Sequence, residues 1–217
     1  IWLFNDVSNN TAARHGGGVM FAPGAITAFL LNDVNGNRSM LGGGGYVHSG
    51  DALVHGNSFS SNKASQHGGG LWVDVETTIS DNRIANNVTP GLGGGIFVND
   101  GSRPTLRSNS IISNFAEQHG GGIAVVEAGT APSIVAGNGI GSNFTPGFGG
   151  GVYIDGLATP SIRGNSIGGN FAELGGGGIY WSPPASGGAG PLAAGLRQQA
   201  PQRAPLVNNR FARNHTP

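Results

Sequence analysis

One spacing recurs seven times along the chain: an Asn, a second Asn five residues later, and the last residue of a glycine run eight residues after that. The seven sets are Asn5/Asn10/Gly18, Asn32/Asn37/Gly45, Asn57/Asn62/Gly70, Asn82/Asn87/Gly95, Asn109/Asn114/Gly122, Asn138/Asn143/Gly151 and Asn165/Asn170/Gly178. An eighth pair, Asn209/Asn214, follows without the glycines. Adjacent sets of the first seven lie 25–29 residues apart. Such a period is typical of solenoids, in which each repeat forms one turn and stacks on its neighbours.

Short apolar patterns predict three strands in each repeat. After the glycines, triplets such as Leu71-Trp72-Val73 alternate with a period of two, as in a strand with two inward side chains. A second strand follows a turn, as at Thr105-Leu106, and a third lies between the two Asn, as at Ile84. No tight hairpin turn joins these strands, so we expect each to pair in parallel with its equivalent one coil away, at ~4.8 Å.

The predicted fold is therefore all-β: a right-handed parallel β-helix of about eight coils with three short parallel sheets. Residues 1–217 are expected to form a single domain, with a loop insertion at 182–205 that is rich in Pro, Ala and Gly. Because the chain begins and ends inside a repeat, we expect it to be a fragment of a longer chain.

The Asn and Gly of each set are expected to be structural. Asn tolerates left-handed backbone torsions at a tight corner, and stacked Asn amides can donate to one another from coil to coil. The glycines mark a bend that requires positive φ or leaves no room for a Cβ. Any function should therefore lie on the residues that vary around them.

Composition excludes several classes of partner. Charged residues make up 10% of the chain and the formal net charge is zero, so we expect no nucleic-acid binding. No apolar run approaches the ~20 residues of a transmembrane segment. The chain has no Cys, so disulfides and thiolate-bound metals play no part in its stability.

The pattern N-x-I-x-x-N…G-G-G-I-x-V resembles the parallel β-helix repeat proteins of the pectate-lyase-like superfamily, over Ile1–Gly178 and again over Leu206–Pro217. That superfamily includes polysaccharide lyases, hydrolases and epimerases, and also surface proteins without catalysis. The segments Phe59–Asn62 and Phe211–Asn214 also resemble bacterial surface and autotransporter-type passenger repeats. The resemblance implies an extracellular or cell-surface location. It implies a polysaccharide lyase or glycoside hydrolase if the chain is an enzyme.

A column of aromatic residues is the first candidate site. The middle, outward positions of the strands after the glycines are Met20, Val47, Trp72, Phe97, Ala124, Tyr153 and Tyr180. An exposed aromatic row at this pitch suits stacking of sugar rings. The alternative is that the aromatics only stabilise the strands by cross-strand packing.

Acidic residues follow the same strands. Asp74, Asp100, Glu127 and Asp155 occur once per coil in the third to sixth coils. Carboxylates on adjacent rungs, ~5 Å apart, would suit a retaining glycosidase or a shared Ca²⁺. The alternative is that they are solvated turn acids. The lyases of the superfamily imply a basic residue beside the acids, but Arg107 and Arg163 fall on another strand.

Three histidines, His15, His67 and His119, occupy equivalent positions in alternate coils, ~9.6 Å apart by the coil rise. One metal ion cannot reach two of them, because a Zn–N bond is ~2 Å long. We therefore expect turn residues, no metal site and no cofactor, with Ca²⁺ the one cation that the acids could bind.

The leading hypothesis is an exported β-helix that binds polysaccharide along this aromatic and acidic face. The hypothesis includes the case in which the protein also processes the bound polysaccharide. The alternative is a non-catalytic structural passenger or adhesin-type surface protein. The sequence leaves the glycan and the oligomeric state open.

Overall fold

The computed structural model describes residues 1–25, 27–126, 132–182 and 206–216. In these residues the chain forms a parallel β-solenoid of short strands, and none of them lies in a helix. Each coil is counted from its first Asn, so that coil 1 begins at Asn5 and coil 8 at Asn209. Four sheets run along the solenoid and are numbered in the order in which the chain visits them, starting with the strand that precedes Asn5.

The strands of each sheet pair in parallel with those of the adjacent coils. Sheet 1 contains β1 (Trp2–Leu3), β4 (Thr27–Leu30), β8 (Ala52–His55), β12 (Thr78–Ser80), β16 (Thr105–Arg107), β20 (Ile134–Ala136), β24 (Ser161–Arg163) and β28 (Leu206–Val207). Sheet 2 contains β2 (Asp6–Ser8), β5 (Asp33–Asn35), β9 (Ser58–Ser60), β13 (Arg83–Ala85), β17 (Ser110–Ile112), β21 (Gly139–Gly141), β25 (Ser166–Gly168) and β29 (Arg210–Ala212). Sheet 3 contains β6 (Arg38–Leu41), β10 (Lys63–His67), β14 (Val88–Thr89), β18 (Phe115–Ala116), β22 (Phe144–Thr145) and β26 (Phe171–Ala172). Sheet 4 contains β3 (Val19–Phe21), β7 (Gly45–Val47), β11 (Leu71–Val73), β15 (Ile96–Val98), β19 (Ile123–Val125), β23 (Val152–Ile154) and β27 (Ile179–Trp181).

The predicted parallel β-helix is confirmed, but it has four sheets rather than three. Sheet 3, between the second Asn and the glycines, was not predicted. Its six strands define about six complete turns, coils 2–7, rather than eight, because coils 1 and 8 have no sheet 3 strand among the described residues. The predicted loop at 182–205 lies outside the described residues except for Ser182.

The core is a stack of apolar side chains along the solenoid axis. Sheets 1, 2 and 4 each contribute inward residues with almost no exposed surface, such as Ile79, Ile111 and Ile123. Sheet 3 contributes small ones, among them Ala64, Thr89 and Ala116. The hydrophobic effect therefore stabilises stacked coils jointly, because a single coil cannot bury its own inward face.

Two ladders of buried Asn side chains connect the coils. In the second ladder the Oδ1 of Asn114 accepts hydrogen bonds from the backbone N and Nδ2 of Asn87, both 3.0 Å long. The Nδ2 of Asn114 donates to Asn143 Oδ1 (3.0 Å) and to the carbonyl oxygen of Ile84 (2.9 Å). Both oxygen lone pairs and both amide hydrogens are thus satisfied, as a buried amide requires.

The left-handed torsions lie one residue before the ladder Asn, not on it. Ser113, for example, has φ of 56° and precedes Asn114, and Ser108 has φ of 55° and precedes Asn109. The ladder Asn is instead selected for its amide. The expectation that Asn itself adopts the left-handed conformation is wrong, whereas its coil-to-coil hydrogen bonds are confirmed.

The glycine run forms a bend in close contact with the next coil. Gly120 has φ of 69°, and a Cβ on Gly121 would lie 2.6 Å from the carbonyl oxygen of Phe144. Coil 2 contains one residue fewer than coil 3 before this bend. The register between β6 and β10 therefore shifts between Ala64 and His67. The fourth glycine of coil 2, Gly45, therefore begins strand β7.

Candidate functional site

Three parallel rows of side chains lie on and beside the outer face of sheet 4. The outer aromatic column comprises Met20, Tyr46, Trp72, Phe97, Ala124, Tyr153 and Tyr180. The cover column, at the bend before the glycines, comprises His15, Leu41, His67, Leu92, His119, Phe148 and Gly175. The edge row, immediately after sheet 4, comprises His48, Asp74, Asn99, Val126, Asp155 and Ser182.

The outer aromatic column differs from the predicted one in coil 2. Tyr46 pairs with Trp72 and Met20, whereas Val47 points inward and is fully buried. The sequence prediction counted strand positions from the last glycine of each run. It placed Val47 outward because it took no account of the residue that coil 2 lacks. Reading Gly45-Tyr46-Val47 as the strand would have identified Tyr46.

The aromatic column is not exposed, so the expectation of an open aromatic face is wrong. Trp72 and Phe97 retain 8% and 4% of their surface, and Tyr153 retains 9%. The cover column lies over them: the ring centroids of His67 and Phe97 are 5.0 Å apart, and those of His119 and Tyr153 are 4.7 Å apart. The buried members of the aromatic column form a second hydrophobic cluster outside the main core, and Leu41, Leu92 and Phe148 of the cover column pack against it. Tyr180 is half-buried. The assignment of these residues to carbohydrate binding stays a prediction.

Two histidines of the cover column, His67 and His119, join adjacent coils. The Nδ1 of His67 accepts a 2.9 Å hydrogen bond from the backbone N–H of Leu92, so its neutral ring carries the proton on Nε2. Burial lowers the pKa of His67. Burial also lowers the pKa of His119, partly offset by a hydrogen bond to the backbone of Gln118. Neutral imidazoles thus act as fixed acceptors at the bend.

The predicted acids do not form a continuous row of carboxylates. Asp74 and Asp155 both belong to the edge row but lie three coils apart, roughly 14 Å along the axis at ~4.8 Å per coil. Asn99 is the residue in register with Asp74 in the next coil, and Asp100 follows it. Glu127 lies outside the described residues. The described residues of the edge row therefore show no carboxylates in register on adjacent rungs, the arrangement expected for a retaining glycosidase.

Asp74 is the centre of a polar cluster that connects coils 2, 3 and 4. Its Oδ2 accepts a 2.7 Å hydrogen bond from the hydroxyl of Tyr46 and lies 2.9 Å from Nδ1 of His48. Its Oδ1 accepts a 2.8 Å bond from Nδ2 of Asn99. Burial, with the hydrogen bond and the negative charge of Asp74, raises the pKa of the Tyr46 phenol. Tyr46 therefore stays a donor, and the carboxylate is held in one orientation.

The cluster leaves hydrogen-bonding capacity facing solvent. The side chains of Asp74 and His48 are 19% and 40% exposed. A carboxylate has about four acceptor positions, and three donors occupy three of them, so one stays open. Because a carboxylate only accepts, Nδ1 of a neutral His48 carries the proton and its Nε2 is a second open acceptor. The arrangement suits a ligand rich in hydroxyl groups.

A second His–Asp contact, on sheet 1, lacks catalytic geometry. Nδ1 of His55 lies 3.0 Å from Ser80 Oγ and 3.2 Å from Asp81 Oδ2. Ser and Asp meet the same ring nitrogen, whereas a proton relay needs one on each nitrogen. Ser80 is also fully buried. This group therefore gives no nucleophile.

In the part of the chain that the structure describes, no group of three or more His, Cys, Asp or Glu side chains could hold a metal ion. No helix in the same residues is long and apolar enough to span a membrane.

Comparison with known proteins agrees with the geometry. A model of the "right handed beta helix region" matches residues 4–140, which is more than half of the chain. Neither curated proteins nor solved structures gave a match. With its parallel sheets, stacked Asn ladders and this match, the chain belongs to the right-handed β-helix family.

Proposed function

We propose that the chain is an exported protein that binds an extended polysaccharide lying along the edge row, parallel to the solenoid axis. One observation carries the proposal: the Asp74 carboxylate is fixed by donors from two other coils and keeps an open acceptor toward solvent. An oriented acceptor with its hydrogen bonds already formed binds a hydroxyl group at little further entropic cost.

The rest of the edge row extends this site along the axis. His48, Asp74 and Asn99 present polar groups in three consecutive coils, and Asp155 and Ser182 do so in coils 6 and 7. All five are half-buried, so their polar atoms lie at a surface rather than in the core. At ~4.8 Å per coil they offer a hydroxyl-rich polymer repeated contacts. The half-buried ring of Tyr180, beside Ser182, supplies apolar surface for one sugar face.

The proposal modifies the role expected of the aromatic column. Trp72 and Phe97 are covered by other side chains and are proposed to support Tyr46 and the strand beneath the site, rather than to stack on sugar rings. Asp74 and Asp155 are proposed as direct contacts. Location outside the cell rests on the resemblance of the repeats to surface-passenger repeats. Fractionation of the native host with an antibody to the chain tests it, and retention inside the cell would contradict it.

Isothermal titration with polygalacturonate, as an acidic polymer, and with a soluble β-glucan, as a neutral one, tests binding. Asp74→Asn and His48→Ala should each weaken binding at least about tenfold, since each removes an oriented hydrogen bond worth ~1.5 kcal/mol to the ligand. Asp33→Asn, an exposed acid on sheet 2, is the matched control and should bind as the unmodified chain does. Equal binding by all variants would place the glycan elsewhere.

Turnover is measured separately, by the appearance of reducing ends for hydrolysis and of unsaturated products for a lyase reaction. Product formation that Asp74→Asn abolishes would identify the cluster as catalytic. Binding without either product identifies a carbohydrate-binding protein.

The alternative proposal is a non-catalytic surface repeat protein. It is supported by the covered aromatic column, in which the rings contact one another and the cover column and so stabilise the stacking of coils. Absence of binding to both polymers in the titration would favour this alternative.

A further inference from the structure

A ladder of phenylalanine side chains lies on the outer face of sheet 3, away from the edge row. Phe115, Phe144 and Phe171 occupy the first outward position of that sheet in coils 5, 6 and 7. Successive ring centroids lie 5.4 and 5.5 Å apart. All three are half-buried, while the residue after each is fully buried in the core. The rings therefore form a partly exposed apolar ridge on the outer face, separate from the core of the solenoid.

The same column carries a different chemistry in the preceding coils. Its members in coils 2 and 3 are the exposed cations Arg38 and Lys63, and Val88 follows in coil 4. Two residues beyond the Phe ladder, the exposed acids Glu117 and Glu173 flank it in coils 5 and 7. None of these four charged groups forms an ion pair with another of the described residues.

This distribution is complementary to itself under one two-fold rotation. An axis along the strand direction, between coils 4 and 5, brings coil 2 opposite coil 7, coil 3 opposite coil 6, and coil 4 opposite coil 5. Each of the two basic side chains then faces a Phe ring of the other copy, and Val88 faces Phe115. Arg38 also faces the coil of Glu173, and Lys63 lies one coil from Glu117. Cation–π contacts and ion pairs both favour this arrangement.

We propose that sheet 3 binds a second copy of this chain in an antiparallel, isologous dimer, in which the cations of coils 2 and 3 contact the Phe ladder and acids of the partner. Coils 2–7 extend over roughly 29 Å at ~4.8 Å per coil. A face about 15 Å wide would bury about 900 Å² in total, which is below the ~1,200 Å² of stable specific interfaces and in the range of weak, transient ones. The dimer is therefore a weak one that forms at high protein concentration.

Sedimentation velocity over a concentration series tests the proposal with the 217-residue chain. The unmodified chain should move from monomer to dimer, and added salt should shift the transition to higher concentration by screening the ion pairs. Phe144→Ser should shift it at least tenfold in the same direction. A chain that stays monomeric at its highest soluble concentration overturns the proposal.

Charge reversal distinguishes this face from any other route of association. The variant Arg38→Glu/Lys63→Glu and the variant Glu117→Lys/Glu173→Lys should each be monomeric, because their own faces then repel. All four side chains are exposed, so both variants should fold, which circular dichroism checks. A one-to-one mixture of the two should restore the dimer, since acids then face bases at both ends of the interface. Dimers in either variant alone, or none in the mixture, overturn the proposal.

The edge row lies beyond sheet 4 and is not part of this face. Polysaccharide binding by the monomeric charge variants therefore tests the proposed function independently of the dimer.

Discussion

The ring Nδ1 of His119 accepts a 3.1 Å hydrogen bond from the backbone N–H of Phe148, one coil further along. His67 and Leu92 form the same bond two coils earlier. In both pairs the preceding carbonyl oxygen also accepts a bond from a Thr hydroxyl: Gln66 from Thr89, and Gln118 from Thr145. The Gln-His bend of one coil thus interlocks with the Thr-Pro-Gly bend of the next. The alternation of the two motifs along the sequence follows from this fit.

Acid should destabilise the chain through His67 and His119. Burial lowers the pKa of both below the ordinary value of 6.5, so the unfolded chain takes up protons first as the pH falls. The contribution of these two histidines to the free energy of unfolding should be constant above pH 6.5. It should decrease as the pH falls below 6.5, and should level off once the pH is below the lowered pKa values of the folded chain. Urea unfolding at a series of pH values measures it.

The double variant His67→Gln/His119→Gln is the control for this pH dependence. Gln offers an oxygen acceptor to the same backbone N–H but does not titrate, so the decrease below pH 6.5 should become shallower. An unchanged slope would assign the acid sensitivity to other groups.

Gly147→Ala should be strongly destabilising although this glycine has no positive φ. A Cβ at this position would overlap the carbonyl oxygen of Gln118 and the Nδ1 of His119, so the interlocked bends would have to separate. We expect a loss of at least about 2 kcal/mol of unfolding free energy, measured by urea unfolding.

Gly139→Ala is the matched control, in the neighbouring part of coil 6. A Cβ there meets no atom within 4 Å, so the change should stabilise the chain by about 0.4–1 kcal/mol through the unfolded state. Equal effects of the two substitutions would show that the bend is not held by this contact.

The coil and its core could be predicted because their signals are strong and repeated. The two Asn and the end of the glycine run keep a fixed spacing within each repeat, and stacking leaves few other ways to bury the apolar residues between them. Sheet 3 was missed because its inward residues, such as Ala64 and Ala116, are small and give no alternation of apolar and polar side chains. The regular Ala, Ser or Thr two residues after each second Asn was the available signal.

The candidate site was predictable only in part. The period of two correctly placed Trp72 and Phe97 on the outer side of sheet 4, but it carries no information about what covers that side. The cover depends on the bend of the glycine run, which positions His67 over the rings. Likewise, His48 and Tyr46 approach Asp74 only because of the coil-to-coil register, which one missing residue in coil 2 obscured.

The Asn ladder should be sensitive to the loss of one amide. Asn114→Ala removes the acceptor of two buried N–H groups of Asn87, its backbone N–H and one hydrogen of its Nδ2. At ~1–3 kcal/mol for each of these two unsatisfied groups, we expect a loss of about 2–6 kcal/mol in unfolding free energy. Asn35→Ala, an exposed Asn on the outer face of sheet 2, should change it by less than about 0.5 kcal/mol. A similar loss in both would mean that the ladder hydrogen bonds add no net stability.

Substitutions of Trp72 distinguish the contribution of packing from that of hydrogen bonding in the second hydrophobic cluster. Its Nε1 is buried and has no hydrogen-bond partner, so the ring is held by contacts with neighbours such as Tyr46 and Phe97. Trp72→Ala should cost about 3–5 kcal/mol, because it leaves a cavity between them. Trp72→Phe loses less apolar surface and removes an unsatisfied donor that costs ~1–3 kcal/mol, so the chain should retain most of its stability. Thermal unfolding of both variants measures the difference. A Phe variant as unstable as the Ala variant would contradict this account, in which packing of the ring and not its N–H stabilises the stacked coils.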